Sequence, residues 1–361
     1  MNFSLNLFKF YDLGGPLSRN EIIDKINKLD IKSDKMEKYQ FDSEKGEPDY
    51  INYPEPISFN IEKKLSNDVE IEIFCKVFSY GALSLKTELK PDINEVKSIK
   101  SFYYENDLIK KIEKSFNQIY NIFFHHFTDD FKKEYRSKNN FTNLYPVYCI
   151  SDTDYNNVEK LIESNKEVIT ELLIGLNEEK EISKEQINNV LKYKTRFYKE
   201  DYSIIHWNGA LTVDNDAEYD DLLYIIELAN IQFIKLRAYD DYIDNYLSEY
   251  LNLTKKKFRK GLDIFNPISN MINNITKMRV ELEQITDMMD NFEKFFGKWY
   301  MAKIYYLASS AFEIPRWKKL IESRLDTVDD LYTMINNEKN RKKMLFLNFL
   351  TLLLFVLWFF I

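Results

Sequence analysis

The chain first alternates, then becomes helical, then becomes wholly apolar. Residues 3–11, FSLNLFKFY, carry apolar side chains at every second position, the period of a strand. Asp12 to Pro16 form a turn. Ser18 and Glu21 have capping-box spacing, which predicts a helix to about Leu29. Residues 31–56 are polar and broken by Pro54 and Pro56, as a loop would be. ISFNIEKKL, DVEIEIFCKVF and ALSLKTEL, within 57–89, each alternate, with Ser79-Tyr80-Gly81 between the last two. A helix follows as far as Phe124, with Phe102, Leu108, Ile112, Phe116 and Tyr120 on one face. YPVYCIS (145–151) is another strand, residues 153–176 a helix, and Ser183 the cap of a shorter one. YSIIHWNGALTVD (202–214) reads as a hairpin turning on a type I′ pair, Asn208-Gly209.

Beyond residue 214 the period is helical throughout. Leu222, Ile226, Ala229, Phe233, Leu236, Asp240, Ile243, Leu247 and Tyr250 follow 4-3 spacing, a coiled-coil seam with Asp240 as its misfit. A second helix is expected from about Ile268, with Leu282, Ile285, Met289, Phe292, Phe296 and Trp299 in its seam and a bend at Phe296-Gly297. Pro315 opens a third, with Trp317, Ile321, Leu325, Val328, Tyr332 and Ile335 continuing the pattern.

Met344 to Ile361, MLFLNFLTLLLFVLWFFI, holds no charge, and only Asn348 and Thr351 are polar. A run of this length is a candidate transmembrane helix. Arg341, Lys342 and Lys343 precede it, and basic residues are retained on the cytoplasmic side. The expected localisation is therefore a single-pass membrane protein, anchored at its C-terminus, with the bulk of the chain cytosolic. The fold class is α+β: residues 1–214 an α/β domain, 215–343 a long-helix, coiled-coil-like antiparallel region, and 344–361 the span.

Composition narrows the function classes. A net charge of −8 argues against nucleic acid as a partner. Cys75 and Cys149 lie in strand-like runs and read as buried thiols in a reducing compartment. The expected partners are the lipid bilayer, further copies of the chain and an unidentified protein.

No motif assigns chemistry. Gly14-Gly15 lies beside a helix start, but neither GxGxxG nor GxxxxGK[ST] is present. His125-His126 ends a helix, where a cation suits the dipole. His206 sits on a hairpin arm with no nucleophile at recognisable spacing. Asp214 to Asp221 begins like a calcium loop but has Tyr219 in place of the glycine and Ile225 in place of the closing glutamate. No catalytic, cofactor-binding or metal-binding residue is assigned, and no cofactor is expected. Two polar clusters are singled out. Asp240 in the seam is expected to pair with Arg279 or Arg324, with Arg237 one turn earlier, and its loss would cost on the order of 3–5 kcal/mol if an arginine were left buried. Lys255, Lys256, Lys257, Arg259 and Lys260, together with Arg341, Lys342 and Lys343, are candidate contacts to an anionic membrane surface.

Four stretches, FSYGALSL (78–85), YSIIHWNGALTVD (202–214), LLYIIELANIQFIKLRAYDDYID (222–244) and RLDTVDDLYTMINNEKNRKK (324–343), resemble the YagE-type family, which includes the required-for-meiotic-nuclear-division proteins. That resemblance implies an α/β domain on long helices leading to one span, and no active site. CorA-type divalent cation channels are a looser architectural likeness, from which this chain departs in lacking Gly-Met-Asn after the span. The expected function is a membrane-anchored binding or assembly module, a scaffold or sensor and not an enzyme. A CorA-like channel subunit and an enzyme with a carboxylate-based site are the alternatives.

Overall fold

In the computed structural model, β1 (Asn2–Asp12) is the element on which both faces of the protein are built. The structure describes residues 1–14, 17–29, 37–38, 56–66, 69–127, 144–151, 158–177, 181–196, 198–257, 279–280 and 299–360. β1 lies inside a nine-stranded sheet of order β2-β3-β4-β5-β1-β6-β9-β8-β7. Its neighbours are β5 (Ala82–Leu89) and β6 (Tyr145–Ser151), both antiparallel to it. Beyond β5 come β4 (Val69–Phe78), β3 (Ile57–Ser66) and the short β2 (Glu37–Lys38). Beyond β6 comes β9 (Gly209–Val213), then β8 (Tyr202–His206) and β7 (Lys194–Thr195). The β6–β9 contact is parallel, and among the described residues every other pairing is antiparallel.

Because strand side chains point alternately to opposite faces, β1 splits its sequence between two cores. Phe3, Leu5, Leu7 and Tyr11 enter a core with α1 (Arg19–Lys28), α2 (Val96–Glu105), α3 (Asp107–Phe127), α4 (Val158–Ser164) and α5 (Lys166–Ile174). Phe8 and Phe10 enter the other, beneath α7 (Asp220–Lys257), α8 (Trp299–Ala311) and the start of α9 (Ile314–Phe360). The α+β chain is thus a sheet with helices on both faces. One apolar cluster joins strand residues before position 214 to helix residues after it.

Local signals explain the ends of these elements. Ser18 Oγ accepts from the Glu21 amide while Glu21 reaches back to the Ser18 amide, so the expected capping box is formed. Ser183 caps α6 (Lys184–Val190) by accepting from the Gln186 amide. The single helix expected through Phe124 is broken at Asn106, whose side chain accepts from the Leu108 amide and restarts it as α3. Both thiols, Cys75 and Cys149, are free and buried.

The hairpin is real, but its turn differs from expectation. His206 pairs with Gly209, so Trp207 and Asn208 occupy the turn. Among the described residues, left-handed backbone falls at Gly14, Gly81, Gly175, Ala217 and Glu313, not at Asn208 or Gly209. Gly209 instead allows a close approach of strands: a Cβ there would meet Pro146 O at 3.2 Å.

The C-terminal anchor is corrected. Among the described residues no helix is long and apolar enough to cross a membrane, which removes the expected span and the localisation built on it. The apolar tail is the distal part of a 47-residue helix whose earlier half is charged. Leu282, Ile285, Met289, Phe292 and the bend at Phe296-Gly297 lie outside the described residues, as do most of the 31–56 loop, Arg259 and Lys260.

Candidate functional site

Charged side chains converge under α7, where a sheet and a helix would ordinarily meet through apolar residues alone. Lys235 is 1% exposed. Its Nζ donates to Asp12 Oδ1 and to the Gly14 carbonyl, each at 2.7 Å, and lies 5.0 Å over the Tyr239 ring. Gly14, at φ 102°, provides the backbone turn that aims that carbonyl inward. Two helical turns earlier, Glu227 accepts from Lys76 Nζ at 2.5 Å, and Lys76 packs over Tyr224. The two pairs have opposite sense: sheet acid to helix base, then sheet base to helix acid. A helix shifted along its axis or reversed would set like charges together, so the pairs specify register more than they add stability.

The sheet beneath carries further polar groups. Asn6 Nδ2 contacts Cys149 Sγ at 3.5 Å, while Asn6 Oδ1 and Ser84 Oγ are buried without a hydrogen-bond partner. Burial pushes the Cys149 thiol up to about 12, so it is not a ready nucleophile. At the start of α7 this polar floor opens into a 470 Å³ pocket lined by Ser4, Glu88, Cys149, Ser151, Ala217 and Tyr219, among others. Ala217 holds φ 58° at the pocket wall, a conformation that is costly for a residue with a Cβ.

On its other side α7 meets α9, running in the same direction. Phe233 touches Trp317, and seven residues further along each helix Asp240 meets Arg324. Arg324 Nη1 lies 3.1 Å from Asp240 Oδ1 in charge contact without hydrogen-bond alignment, and it also pairs with Asp244. Burial raises the Asp240 carboxyl above its ordinary range, and Arg324 opposes that shift. Arg237 lies over Phe233 at 5.4 Å. Arg279 is elsewhere: it pairs with Asp326 at 3.2 Å and Asp329 at 2.8 Å. The structure therefore brings Asp240 and Arg324 together, adds Asp244, and directs Arg279 to different acids.

Lys255, Lys256 and Lys257 fall in the last described turn of α7, and Arg341, Lys342 and Lys343 lie within α9 before the apolar tail. His206 is buried, donates from Nδ1 to the Leu173 carbonyl at 2.9 Å, and has its pKa lowered by burial. His126 makes a similar bond to Ile122 O at 2.9 Å in the last turn of α3. Tyr219 donates to the Asp214 carbonyl, so the acidic segment there turns on itself. Among the described residues no group of His, Cys, Asp or Glu could hold a metal ion.

The buried pairs under α7 escape sequence reasoning because their partners lie far apart: Asp12 and Lys235 are separated by 223 positions. A signal did exist in IIELANIQFIKL, where Glu227 and Lys235 interrupt a helix that is otherwise apolar on nearly every side.

Comparison with known proteins gives the family. A family model described as uncharacterized protein MJ0711, N-terminal domain, matches residues 4–220, the sheet and its crossovers. Uncharacterized protein MJ0711 of Methanocaldococcus jannaschii is 26% identical over 247 residues, covering 66% of this chain and 74% of that protein. No solved structure matches. These findings overturn the resemblance to the YagE-type and meiotic-nuclear-division proteins, and the looser likeness to CorA channels with it. The short stretches behind it follow the strand and helix periods that many sheet-and-helix proteins share. With its sheet region matched from residue 4 to residue 220, the chain belongs to the MJ0711 N-terminal domain family.

Proposed function

We propose that the chain is a binding and assembly module, not an enzyme, that associates with copies of itself through the distal half of α9. One observation carries this reading. Leu347, Phe349, Leu350, Leu352, Leu353, Leu354, Phe355, Val356, Leu357 and Trp358 are all exposed on a helix that leaves the body. α9 buries Ile321, Leu325 and Val328 against the rest of the protein, whereas its described apolar residues from Leu347 to Trp358 are exposed. Exposed apolar surface on this scale marks an interaction site.

The seams of α7 and α9 extend the reading to a coiled-coil-like stalk. The equal spacing of the Phe233–Trp317 and Asp240–Arg324 contacts supports a shared heptad register. A second copy is the occupant most consistent with a helix apolar on all sides, because one flat groove covers only one of its faces. Sedimentation velocity of the full chain tests it. The chain is expected to sediment as an oligomer, and Leu347→Lys, Leu350→Lys, Leu354→Lys and Leu357→Lys together are expected to return it to monomer. A full chain that stays monomeric at every concentration overturns the proposal, as does a charged variant that associates unchanged.

A further inference from the structure

Lys86 stands apart from the paired charges under α7. It is half-buried on β5, two residues inward from Glu88 of the polar pocket and on the same face of the sheet. Its Nζ lies 5.8 Å from the Phe8 ring and 5.8 Å from the Phe74 ring. That is the outer limit of cation–π attraction, so the rings exclude water more than they hold the charge. The nearest helix carboxylate, Glu227, is bonded at 2.5 Å to Lys76, and among the described residues Lys86 Nζ makes no hydrogen bond. Two ammonium groups thus share Glu227, and the second is half-buried without a hydrogen-bond acceptor.

We propose that Lys86 captures small aldehydes or ketones: its ε-amine, seated between Phe8 and Phe74 beside the Lys76–Glu227 pair, forms an imine with a carbonyl compound that enters next to Glu88. An apolar setting and a neighbouring cation are the two conditions that make a lysine nucleophilic, and burial lowers the Lys86 pKa accordingly. The charged groups acting on it are Lys76 from β4, Glu227 and Asp220 from α7, and Glu88 from its own strand. Lys76 favours the neutral amine, and the three acids oppose it. In the reaction the nitrogen lone pair forms a C–N bond to the carbonyl carbon. The carbonyl oxygen takes up the proton the nitrogen releases, giving a carbinolamine. Loss of water leaves the imine, and water reverses the step. Nothing is oxidised or reduced. The inference is independent of self-association, because Lys86 lies on the sheet and not on α9.

Imine trapping tests the proposal on the full chain. Glycolaldehyde is the probe, cyanoborohydride the trap, and peptide mass spectrometry the readout, with labelling followed from pH 9 down to pH 6. Lys86 is expected to be labelled ahead of the other lysines and to retain its label at the acid end, where the others lose theirs. Lys76→Met is expected to reduce labelling at Lys86, because it removes the neighbouring cation and leaves Glu227 to pair with Lys86. Labelling of Lys86 no greater than that of the surface lysines overturns the proposal, as does a pH dependence that follows theirs. If Lys86 labels well but Lys76→Met leaves it unchanged, the proposed activation is overturned.

Discussion

Replacing Lys235 with methionine asks whether the charges under α7 hold the helix in place. The side chain has almost no exposure, and its ammonium meets one carboxylate and one carbonyl, both at 2.7 Å. Methionine fills much of the same volume, so the change removes the charge with little cavity. Asp12 is then left 13% exposed with only the Gly14 amide, at 3.3 Å, as donor. Stranding one partner of a buried pair costs about 3–5 kcal/mol, and the Gly14 carbonyl also loses its donor. Adding Asp12→Leu removes the stranded carboxylate. The double variant is expected to regain the ionic part of the loss and to retain about 1–3 kcal/mol for the carbonyl. Urea unfolding followed by circular dichroism reads both variants by linear extrapolation. A loss below about 1 kcal/mol for Lys235→Met would refute the reasoning, as would a double variant no more stable than the single one.

Other expectations follow from the same geometry. Asp240→Ala should cost only about 1 kcal/mol in urea unfolding, because Arg324 is 28% exposed and keeps Asp244; a loss of several kcal/mol would show a pair far drier than the structure places it. Gly175→Ala should destabilise by about 1–2 kcal/mol, since Gly175 holds φ +76° and a Cβ would strike the Asn208 amide nitrogen; an unchanged thermal midpoint would contradict this. The pKa of His206 is lower in the folded chain than in the unfolded one, so the unfolded state binds the proton first. Stability is therefore complete above about pH 6.5 and declines as pH falls below it. His206→Gln should flatten that part of a stability–pH curve, and a wild-type curve already flat there would count against the assignment.

Much of the fold was legible in the chain because period survives without partners. FSLNLFKFY alternates, and the alternation says that β1 has two faces. It does not say that both are buried, and Lys9 and Asp12 look like solvent residues until Lys9 is seen on Glu113 at 2.8 Å and Asp12 on Lys235. Strand order was not legible, since the parallel β6–β9 contact depends on how the helices between them pack and no local pattern encodes it. The expected seam of α7 was too narrow for the same reason. Leu222, Ile226, Ala229, Leu236 and Ile243 are buried as the spacing asks, yet so are Glu227, Asn230 and Lys235, because α7 packs on a sheet and on two helices at once. The apolar tail misled in a different way. Composition alone reads as a span, whereas the structure continues it as the end of a helix whose charged first half packs on α7.

Self-association through α9 is most directly tested by a spin label on Leu350. Both native cysteines are buried, so a cysteine introduced there can be labelled alone. Packed helices lie about 8–10 Å apart, so labels on neighbouring copies should broaden one another strongly in the full chain. A label at Tyr198, 70% exposed on the body, should stay narrow. Broadening at 350 that vanishes on dilution with unlabelled chain is the predicted result; a spectrum at 350 as narrow as that at 198, at every concentration, would contradict the account.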